Sequence, residues 1–304
     1  RALGEGATQV VGETTGYRVP QTAGEIYAMK HLFTYEDQYH LIPFDELPQN
    51  RLAFPVLVQA DRDTWALYTE AAVFGDYGGA NVLAAPDDPT LLRLQMSPEK
   101  LDPVATSYPV TTPWRAVVVG DLHTIVSTDL LENLNPPSIV EDPSFIQPGV
   151  AAWSWMTEND APRDPQRCRD YVDFAAEMGI PYFLEDAGWP DTVDIPELVA
   201  YAAERGVGIW IWEHSSAMRD RAVAEEKLKL WASWGVVGVK IDFFESDTPE
   251  RMAQYDMLAE LTAKYRLMVN FHGATKPAGE IRTWPHVLTR EGVMGGEFLQ
   301  SFSD

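Results

Sequence analysis

The sequence predicts an N-terminal antiparallel β-sandwich followed by part of a (β/α)₈ barrel, and three observations carry this prediction. Residues 1–135 consist of short alternating apolar and polar runs separated by Gly, Pro and Asp turns, which is typical of antiparallel sheets. Prolines crowd residues 136–148, as expected of an extended linker. From residue 149 to 304, strand-like and helix-like segments alternate, which indicates parallel strands joined by crossover helices.

The strands of the first domain are predicted from alternation of apolar and polar residues. The clearest runs are residues 51–58, 64–68 and 114–119. We expect the beginning of this domain to lie upstream of Arg1.

The second domain contains six predicted strands, at residues 149–155, 181–184, 207–212, 236–241 and 267–271, with the sixth ending near Glu291. Predicted helices begin at Asp164-Pro165 and end before Gly179, occupy residues 196–204 and 227–234, and begin again at Thr248-Pro249. A closed barrel of this class needs eight strands and roughly 250 residues. Only about 155 residues follow Gly149, so we expect an incomplete barrel.

Composition excludes several classes of function. The formal net charge is −23, and no cluster of Lys and Arg offers a surface for phosphates, so we expect no nucleic-acid partner. The longest apolar runs, such as residues 207–212, are too short to span a membrane, so we expect no membrane partner. Cys168 is the single cysteine, which leaves no internal disulfide and no thiolate metal site.

Polar residues at the carboxyl ends of the barrel strands are the candidates for chemistry, because active sites of such barrels lie there. These candidates are Glu185, Asp186, Glu213, His214, Asp242, His272, Glu291 and Glu297. Asp242 stands between a buried strand and the aromatic pair Phe243-Phe244; its alternative role is a helix cap or loop hydrogen-bonder. Paired carboxylates that face one pocket are typical of glycoside hydrolases.

Two further carboxylates, Glu291 and Glu297, lie among glycines that permit tight turns. Carboxylates brought together repel, and a shared proton or a hard cation such as calcium relieves the repulsion. Glu291 is therefore a candidate metal ligand, with a salt bridge to Arg290 or Arg282 as the alternative. From the sequence alone, Glu70 at the end of a predicted strand is an exposed acid.

The predicted substrate-binding residues are His272, Asp186, Trp189, Trp212 and Lys240. His272 could hydrogen-bond a sugar hydroxyl, and tryptophans near strand ends, including Trp155, could stack on pyranose rings. A structural hydrogen bond for the histidine and a place in the core for the tryptophans stay open as alternatives.

Several motifs resemble glycoside hydrolase family 97. They are residues 69–71 (TEA), 182–189, 238–244 (GVKIDFF), 270–279 (NFHGATKPAG) and 282–297, which begins RTWP. The resemblance implies an N-terminal β-sandwich, a catalytic (β/α)₈ barrel and a C-terminal β-domain. It also implies that Glu297 is the catalytic acid and that Glu70, Glu291 and Glu297 hold a calcium ion.

The same resemblance separates two stereochemical branches. Inverting members carry a glutamate directly after the histidine of the fifth-strand motif and another after the third strand, and this sequence has Gly273 and His214 there. The retaining branch uses the aspartate that ends the fourth strand, Asp242, as its nucleophile. The resemblance thus implies an exo-acting retaining α-galactosidase that acts on α-galactosides or oligosaccharides with the help of Ca²⁺.

Three alternatives remain at this stage. They are an α-glucosidase on the same scaffold, a carbohydrate-binding protein without activity, and a barrel hydrolase in which Asp242, Glu291 and Glu297 hold a catalytic metal. We expect a bacterial periplasmic or secreted protein whose export signal lies upstream of Arg1. The sequence does not predict the oligomeric state.

Overall fold

Two antiparallel sheets pack face to face in the N-terminal part of the chain. The computed structural model describes residues 4–20, 24–75, 77–96 and 104–298. The strands are β1 Ala7–Val10, β2 Gly16–Arg18, β3 Ile26–Ala28, β4 His40–Leu41, β5 Arg51–Ala53, β6 Val56–Gln59, β7 Trp65–Ala71, β8 Ala80–Ala85, β9 Asp88–Met96, β10 Val104–Ser107 and β11 Trp114–Gly120. A five-stranded sheet has the order β11-β7-β6-β3-β4, a four-stranded sheet has the order β2-β9-β8-β5, and β1 pairs with β10.

Side chains from both sheets form one buried cluster, which is the core of the sandwich. Val56 and Val58 of β6 face Val82 of β8 and Leu92 of β9 across it, and all four are fully buried. Alternate residues of a strand point to opposite faces of the sheet, so each strand delivers every second side chain to this core. The predicted sandwich is confirmed.

One predicted strand is wrong in its extent. Residues 51–58 form two strands that belong to different sheets, because the chain turns at Phe54-Pro55. Pro55 has no N–H with which to continue a ladder. The two remaining predicted strands of this domain correspond to β7 and β11.

Residues 136–148 follow two short helices, α1 Leu122–Ser127 and α2 Leu130–Asn133, and contain a 3₁₀ turn at Pro143–Phe145. The segment is hydrogen-bonded to the barrel: Thr283 Oγ1 donates to the Pro136 carbonyl at 2.8 Å, and the Tyr182 hydroxyl donates to the Gln147 carbonyl at 2.5 Å. These contacts fasten the proline-rich segment along the second domain.

The second domain is a curled sheet of six parallel strands in sequential order, which confirms the predicted incomplete barrel. Its strands are β12 Ala151–Trp153, β13 Tyr182–Glu185, β14 Gly208–His214, β15 Gly238–Asp242, β16 Met268–Phe271 and β17 Val287–Arg290. The helices that cover its outer face are α3 Pro165–Met178, α4 Ile195–Ala203, α5 Arg221–Trp234 and α6 Pro249–Lys264.

Local sequence signals set the ends of these helices. Asp164, Asp194 and Asp220 each accept hydrogen bonds from backbone N–H groups in the first turn of α3, α4 and α5. Gly179 and Gly235 end α3 and α5 in the left-handed conformation. Among the described residues, no helix combines the length and apolar character needed to cross a membrane.

Alternation along the strands sorts side chains between the two faces of the curled sheet. Phe183, Ile211, Val239 and Phe271 point outward and pack with the helices in a buried cluster. Their neighbours in sequence point to the inner face, where they approach the barrel axis. This parity decides which strand-end residues can meet in one site.

Candidate active site

A cavity of about 380 Å³ opens at the carboxyl ends of the barrel strands. Its lining combines acidic, basic and aromatic side chains from all six of these ends, and it also includes Thr34 and Glu36 of the N-terminal domain. This volume suits a small polar ligand such as a monosaccharide unit.

Asp186, Asp242 and His272 line this cavity because they continue the inward-pointing set of β13, β15 and β16. Glu185 and Glu213 have the opposite parity. Glu185 lies beside Cys168 of α3, and Glu213 forms an ion pair with Lys227 of α5. Period-two alternation thus divides the predicted strand-end acids into two groups, and Asp186 and Asp242 belong to the inner one.

Asp242 is buried and surrounded by donors. Trp212 Nε1 donates to its Oδ2 at 3.0 Å, Lys240 Nζ lies 3.4 Å from the same oxygen, and His272 Nδ1 lies 3.3 Å from Oδ1. Burial alone would raise the pKa of Asp242, but the hydrogen bond and charge of His272, with Lys240 and Trp212, lower it to about 2. Asp242 is therefore an ionised carboxylate across the physiological pH range.

Lys240 and Asp186 form a second buried pair on the cavity floor. Lys240 Nζ donates to Asp186 Oδ2 at 3.0 Å, and Trp153 Nε1 donates to the same oxygen at 2.5 Å. Lys240 also lies over the Trp153 ring, 4.6 Å from its centroid. A fixed cation and a fixed anion side by side can donate to and accept from the hydroxyls of a bound polyol.

His272 links Asp242 to the acids that follow β17. Its Nδ1 lies 2.9 Å from Glu291 Oε2, which also accepts from the Gly273 N–H at 2.8 Å. Burial lowers the pKa of His272, but the hydrogen bonds to Asp242 and Glu291 outweigh it and raise the pKa to about 9. The imidazolium between two carboxylates holds both in place at neutral pH.

Glu291 and Glu297 lie close together at the cavity wall. Ligand atoms of His272, Glu291 and Glu297 all lie within 4.8 Å of one another, which is a spacing suited to a metal ion. Glu297 Oε1 accepts a hydrogen bond from Trp155 Nε1 at 2.8 Å. Trp155 and Trp212 both line the cavity, and each donates a hydrogen bond to a carboxylate there: Trp155 to Glu297 and Trp212 to Asp242.

Glu36 is a site residue that the sequence prediction missed. It lies in the loop after Tyr35 in the N-terminal domain, lines the cavity and faces Glu291. Burial and the charge of Glu291 raise the pKa of Glu36 to about 8. An isolated acid in a loop of another domain has no periodic signal, so only the folded chain reveals it.

Two predicted site residues do not line the cavity. The Trp189 ring is buried against Trp231 and Trp234, with ring centroids 6.4 Å apart in both contacts, and its Nε1 donates to the Trp212 carbonyl. Trp189 thus packs in the core behind Trp212 and supports it, and its predicted substrate contact stays a prediction.

Glu70 is fully buried where the two domains meet, in place of the exposed acid expected from its sequence context. Its Oε1 lies 2.6 Å from Lys276 Nζ and its Oε2 pairs with Arg115. Lys276 Nζ also donates to the Tyr35 hydroxyl at 3.3 Å, and that hydroxyl donates to Asp247 at 2.8 Å. Glu70 is outside the group with metal-ligand spacing, so its predicted role as a calcium ligand has no support from this geometry.

Glu185 points to the outer face of the curled sheet and is buried there, which leads to a prediction about how the stability of the protein depends on pH. Glu185 is fully buried, and burial raises its pKa from 4.5 to about 8. The pKa of Glu185 is higher in the folded than in the unfolded protein. Below pH 4.5 the group is neutral in both states and costs no stability, and as the pH rises towards 8 the free energy of unfolding falls. The resulting loss in the free energy of unfolding at pH 7 is roughly 3 kcal/mol, because each unit between the unfolded pKa and the pH corresponds to about 1.4 kcal/mol.

We expect Glu185→Gln, which stays neutral, to raise the Tm above that of the parent at pH 8 and to leave it near the parental value at pH 5. Thermal unfolding of both proteins at the two pH values measures this. Glu213→Gln is the matched control, because Glu213 has the same parity but is paired with Lys227. An equal response of the two variants at pH 8 would contradict the assignment.

Together, a β-sandwich and a (β/α) barrel with a carboxylate-lined cavity at its strand ends define a class of carbohydrate-active barrel proteins. The chain belongs to glycoside hydrolase family 97: the model described as "Glycoside hydrolase 97" matches residues 145–293, and that described as "Glycosyl-hydrolase 97 N-terminal" matches residues 2–137. The resemblance found in the sequence motifs is confirmed.

Two relatives of the chain are named as retaining alpha-galactosidases, one of them as probable. The chain is 38% identical over 313 residues to a probable retaining alpha-galactosidase of Streptomyces bingchenggensis, covering 97% of this chain and 48% of that protein. It is 34% identical over 314 residues to a retaining alpha-galactosidase of Bacteroides thetaiotaomicron, covering 90% of this chain and 47% of that protein. The chain therefore spans about half the length of these curated relatives.

A solved structure of a beta-arabinopyranosidase has the same fold. It superposes with a TM-score of 0.86 at 27% identity, and the alignment covers 94% of this chain and 50% of that chain.

Proposed function

We propose that the protein containing this chain is a retaining α-galactosidase that removes terminal α-galactosyl units with Asp242 as its nucleophile. The observation that carries the proposal is the buried, ionised carboxylate of Asp242 on the cavity floor, held by three donors. Two relatives are named retaining alpha-galactosidases, one of them as probable, and this supports the galactosyl assignment.

In the first chemical step, an Asp242 oxygen attacks the anomeric carbon of the terminal sugar and the bond from that carbon to the leaving oxygen breaks. Glu297 gives its proton to the leaving oxygen. The product is a glycosyl ester of Asp242. Trp212, Lys240 and His272 fix the orientation of the attacking carboxylate, and Lys240 with Asp186 binds sugar hydroxyls.

In the second step, Glu297 removes a proton from water, and the water oxygen attacks the anomeric carbon as the ester bond to Asp242 breaks. Two displacements at one carbon give net retention of configuration. Trp155, which donates to Glu297 Oε1, holds this residue in the same place for both proton transfers.

The surroundings of Gly273 support retention over inversion. The inverting branch is similar in fold but carries a glutamate at this position. Here Gly273 has a φ of +49°, and a Cβ on it would lie 2.9 Å from the Phe243 backbone nitrogen and 3.2 Å from Asp242 Oδ1. A glutamate would fit only if the loop after β15 moved.

A hard cation fits the acids at the cavity wall. Glu291 and Glu297 belong to the group with metal-ligand spacing, and Glu36, which faces Glu291, offers a third carboxylate. Carboxylate oxygens are the donors that Ca²⁺ prefers, and a cation would relieve the repulsion from Glu291 that, together with burial, raises the pKa of Glu36. The nitrogen of His272 suits Ca²⁺ poorly, and His272 instead bonds Asp242 and Glu291. When bound, Ca²⁺ would supply positive charge that orients a sugar hydroxyl and lowers the charge density around Glu297.

The calcium assignment predicts that Glu36→Gln and Glu291→Gln each weaken Ca²⁺ binding at least tenfold, because each removes an anionic oxygen ligand; even loss of a residue that only supports a ligand costs roughly 10- to 100-fold. Isothermal titration of the chelator-treated protein with CaCl₂ measures the affinity. Glu245→Gln is the matched control, since this acid lies at the rim of the same cavity but is neither in the group with metal-ligand spacing nor the acid that faces Glu291. Unchanged affinity in Glu36→Gln would contradict the assignment of Glu36.

The substrate is tested by comparing p-nitrophenyl α-galactoside, α-glucoside and β-L-arabinopyranoside. The last is included because a structural relative is named a beta-arabinopyranosidase, and L-arabinopyranose has the ring of galactose without its hydroxymethyl group. We expect kcat/KM to be highest for the α-galactoside. Faster cleavage of either other substrate would overturn the galactosyl assignment and leave the nucleophile assignment standing.

We further propose that the enzyme acts on oligosaccharides in the periplasm or outside a bacterial cell, and cell fractionation would test this.

A further inference from the structure

The Phe243 ring stands at the rim of the cavity, above a polar floor. Its exposed fraction is 43%, whereas those of Asp242, Lys240 and Asp186 on the floor are 6%, 4% and 2%. The cavity therefore changes from buried charged groups at its base to an exposed aromatic ring at its mouth.

The backbone holds this ring in an unusual conformation. Phe243 has a φ of +63° and Glu245 a φ of +49°, in the left-handed region that side-chain-bearing residues rarely adopt. Hydrogen bonds fix the turn: the Ser215 hydroxyl donates to the Phe243 carbonyl at 2.7 Å, and the Glu245 N–H donates to the Gly273 carbonyl at 2.9 Å. Strain of this kind persists where surrounding contacts enforce it and is concentrated at functional sites.

The ring itself is supported from behind. It stacks on the His214 imidazole with centroids 5.0 Å apart and planes at 18°, and it meets the Trp212 indole edge to face at 6.4 Å. His214 is held in turn by Ser216, whose N–H donates to His214 Nδ1 at 3.1 Å. The result is a rigid aromatic surface directly after the proposed nucleophile.

We propose that Phe243, backed by His214, binds the leaving group of the substrate by stacking on the apolar face of the sugar ring that follows the terminal galactose. This proposal rests on the proposed function. An exo-acting enzyme buries the terminal sugar against the charged floor, so the next unit lies towards the mouth. Hexose rings present C–H groups on one face, and a fixed aromatic ring with an open face complements them.

The test uses Phe243→Ala and Phe243→Leu in the whole protein, with two substrates that share the galactosyl group. One is α-galactosyl fluoride, whose leaving group is a single atom, and the other is the disaccharide galactosyl-α-1,6-glucose. We expect the ratio of kcat/KM for the disaccharide to kcat/KM for the fluoride to fall at least tenfold in both variants. Phe243→Trp should keep the ratio within about threefold of the parent, because it retains a planar face.

Phe174→Ala is the matched control. Phe174 is 48% exposed but lies on α3, away from the cavity lining, so the ratio should not change. An equal loss on both substrates would overturn the proposal, because Phe243 would then act on the galactosyl unit or on the fold. An unchanged ratio would also overturn it. If the parent enzyme cleaves neither galactoside, the proposed function itself fails, and that outcome is seen before any variant is made.

Discussion

Replacing Asp242 by alanine should lower kcat on p-nitrophenyl α-galactoside by roughly 10⁴-fold or more, the scale seen when a covalent nucleophile is removed. The first displacement has no other acceptor for the anomeric carbon. Alanine also leaves space beside that carbon, so added azide should restore part of the activity and form β-galactosyl azide. Steady-state kinetics with and without azide, and identification of the product, measure both effects.

Asp242→Asn is a second variant that keeps the shape of the side chain and its acceptor for Trp212 and should be comparably inactive. Glu245→Gln, at the rim of the same cavity, should keep kcat within a few-fold of the parent and serves as the control. Substantial activity in a folded Asp242→Ala protein without azide would contradict the covalent mechanism.

The largest expected effect on stability comes from Lys276, the buried cation that joins Glu70 of the sandwich to the barrel. Lys276 Nζ lies 2.6 Å from Glu70 Oε1, and the two side chains are 5% and 0% exposed. Lys276→Met leaves Glu70 with one cation, Arg115, and removes one of the groups that lower the pKa of Asp247, which keeps His31 and Tyr35 beside it. We expect a loss of about 3–5 kcal/mol in the free energy of unfolding, the usual cost of breaking a buried pair.

Denaturant unfolding, followed by tryptophan fluorescence, measures this loss. Lys264→Met is the matched control, because Lys264 pairs with Glu225 on the surface, where side-chain exposures are 58% and 33%. We expect that change to cost at most about 1 kcal/mol. The double variant Lys276→Met, Glu70→Gln should recover part of the loss, since Glu70 is then no longer a buried charge that has lost a partner and Arg115 keeps its ion pair with Glu13. Equal stabilities of the two single variants would contradict a structural role for this ion pair.

The barrel was predictable because its signals are local and agree with one another. Buried strands such as β14 contain continuous apolar runs, here residues 207–212, and an Asp cap before α3 and a left-handed Gly after it set the helix bounds. The sandwich was less predictable in detail. Residues 51–58 alternate like one strand, and only packing shows that the chain changes sheet at Phe54-Pro55.

Within the site, residues at the ends of barrel strands could be predicted from the sequence, whereas a residue from the other domain could not. Asp242 and His272 were candidates because each follows an apolar strand. The parity of the folded strands places both at the cavity and separates Asp186 from Glu185, which the sequence prediction had grouped together. Glu36 could not be identified, since it reaches the cavity from another domain.

The tryptophans show a second limit of the sequence prediction. A tryptophan near a strand end is equally compatible with the core and with the cavity. Only tertiary contacts separate Trp189, which packs against Trp231 and Trp234, from Trp212 at the cavity.

The central claim is a double displacement at Asp242, and proton NMR of the anomeric signal during cleavage of p-nitrophenyl α-galactoside tests it most directly. The account predicts that α-galactose appears first and that the β-anomer grows in only by mutarotation, with neither formed by Asp242→Ala. Initial release of β-galactose would contradict it, because a single displacement by water would then be the mechanism and a residue other than Asp242 would act as the base.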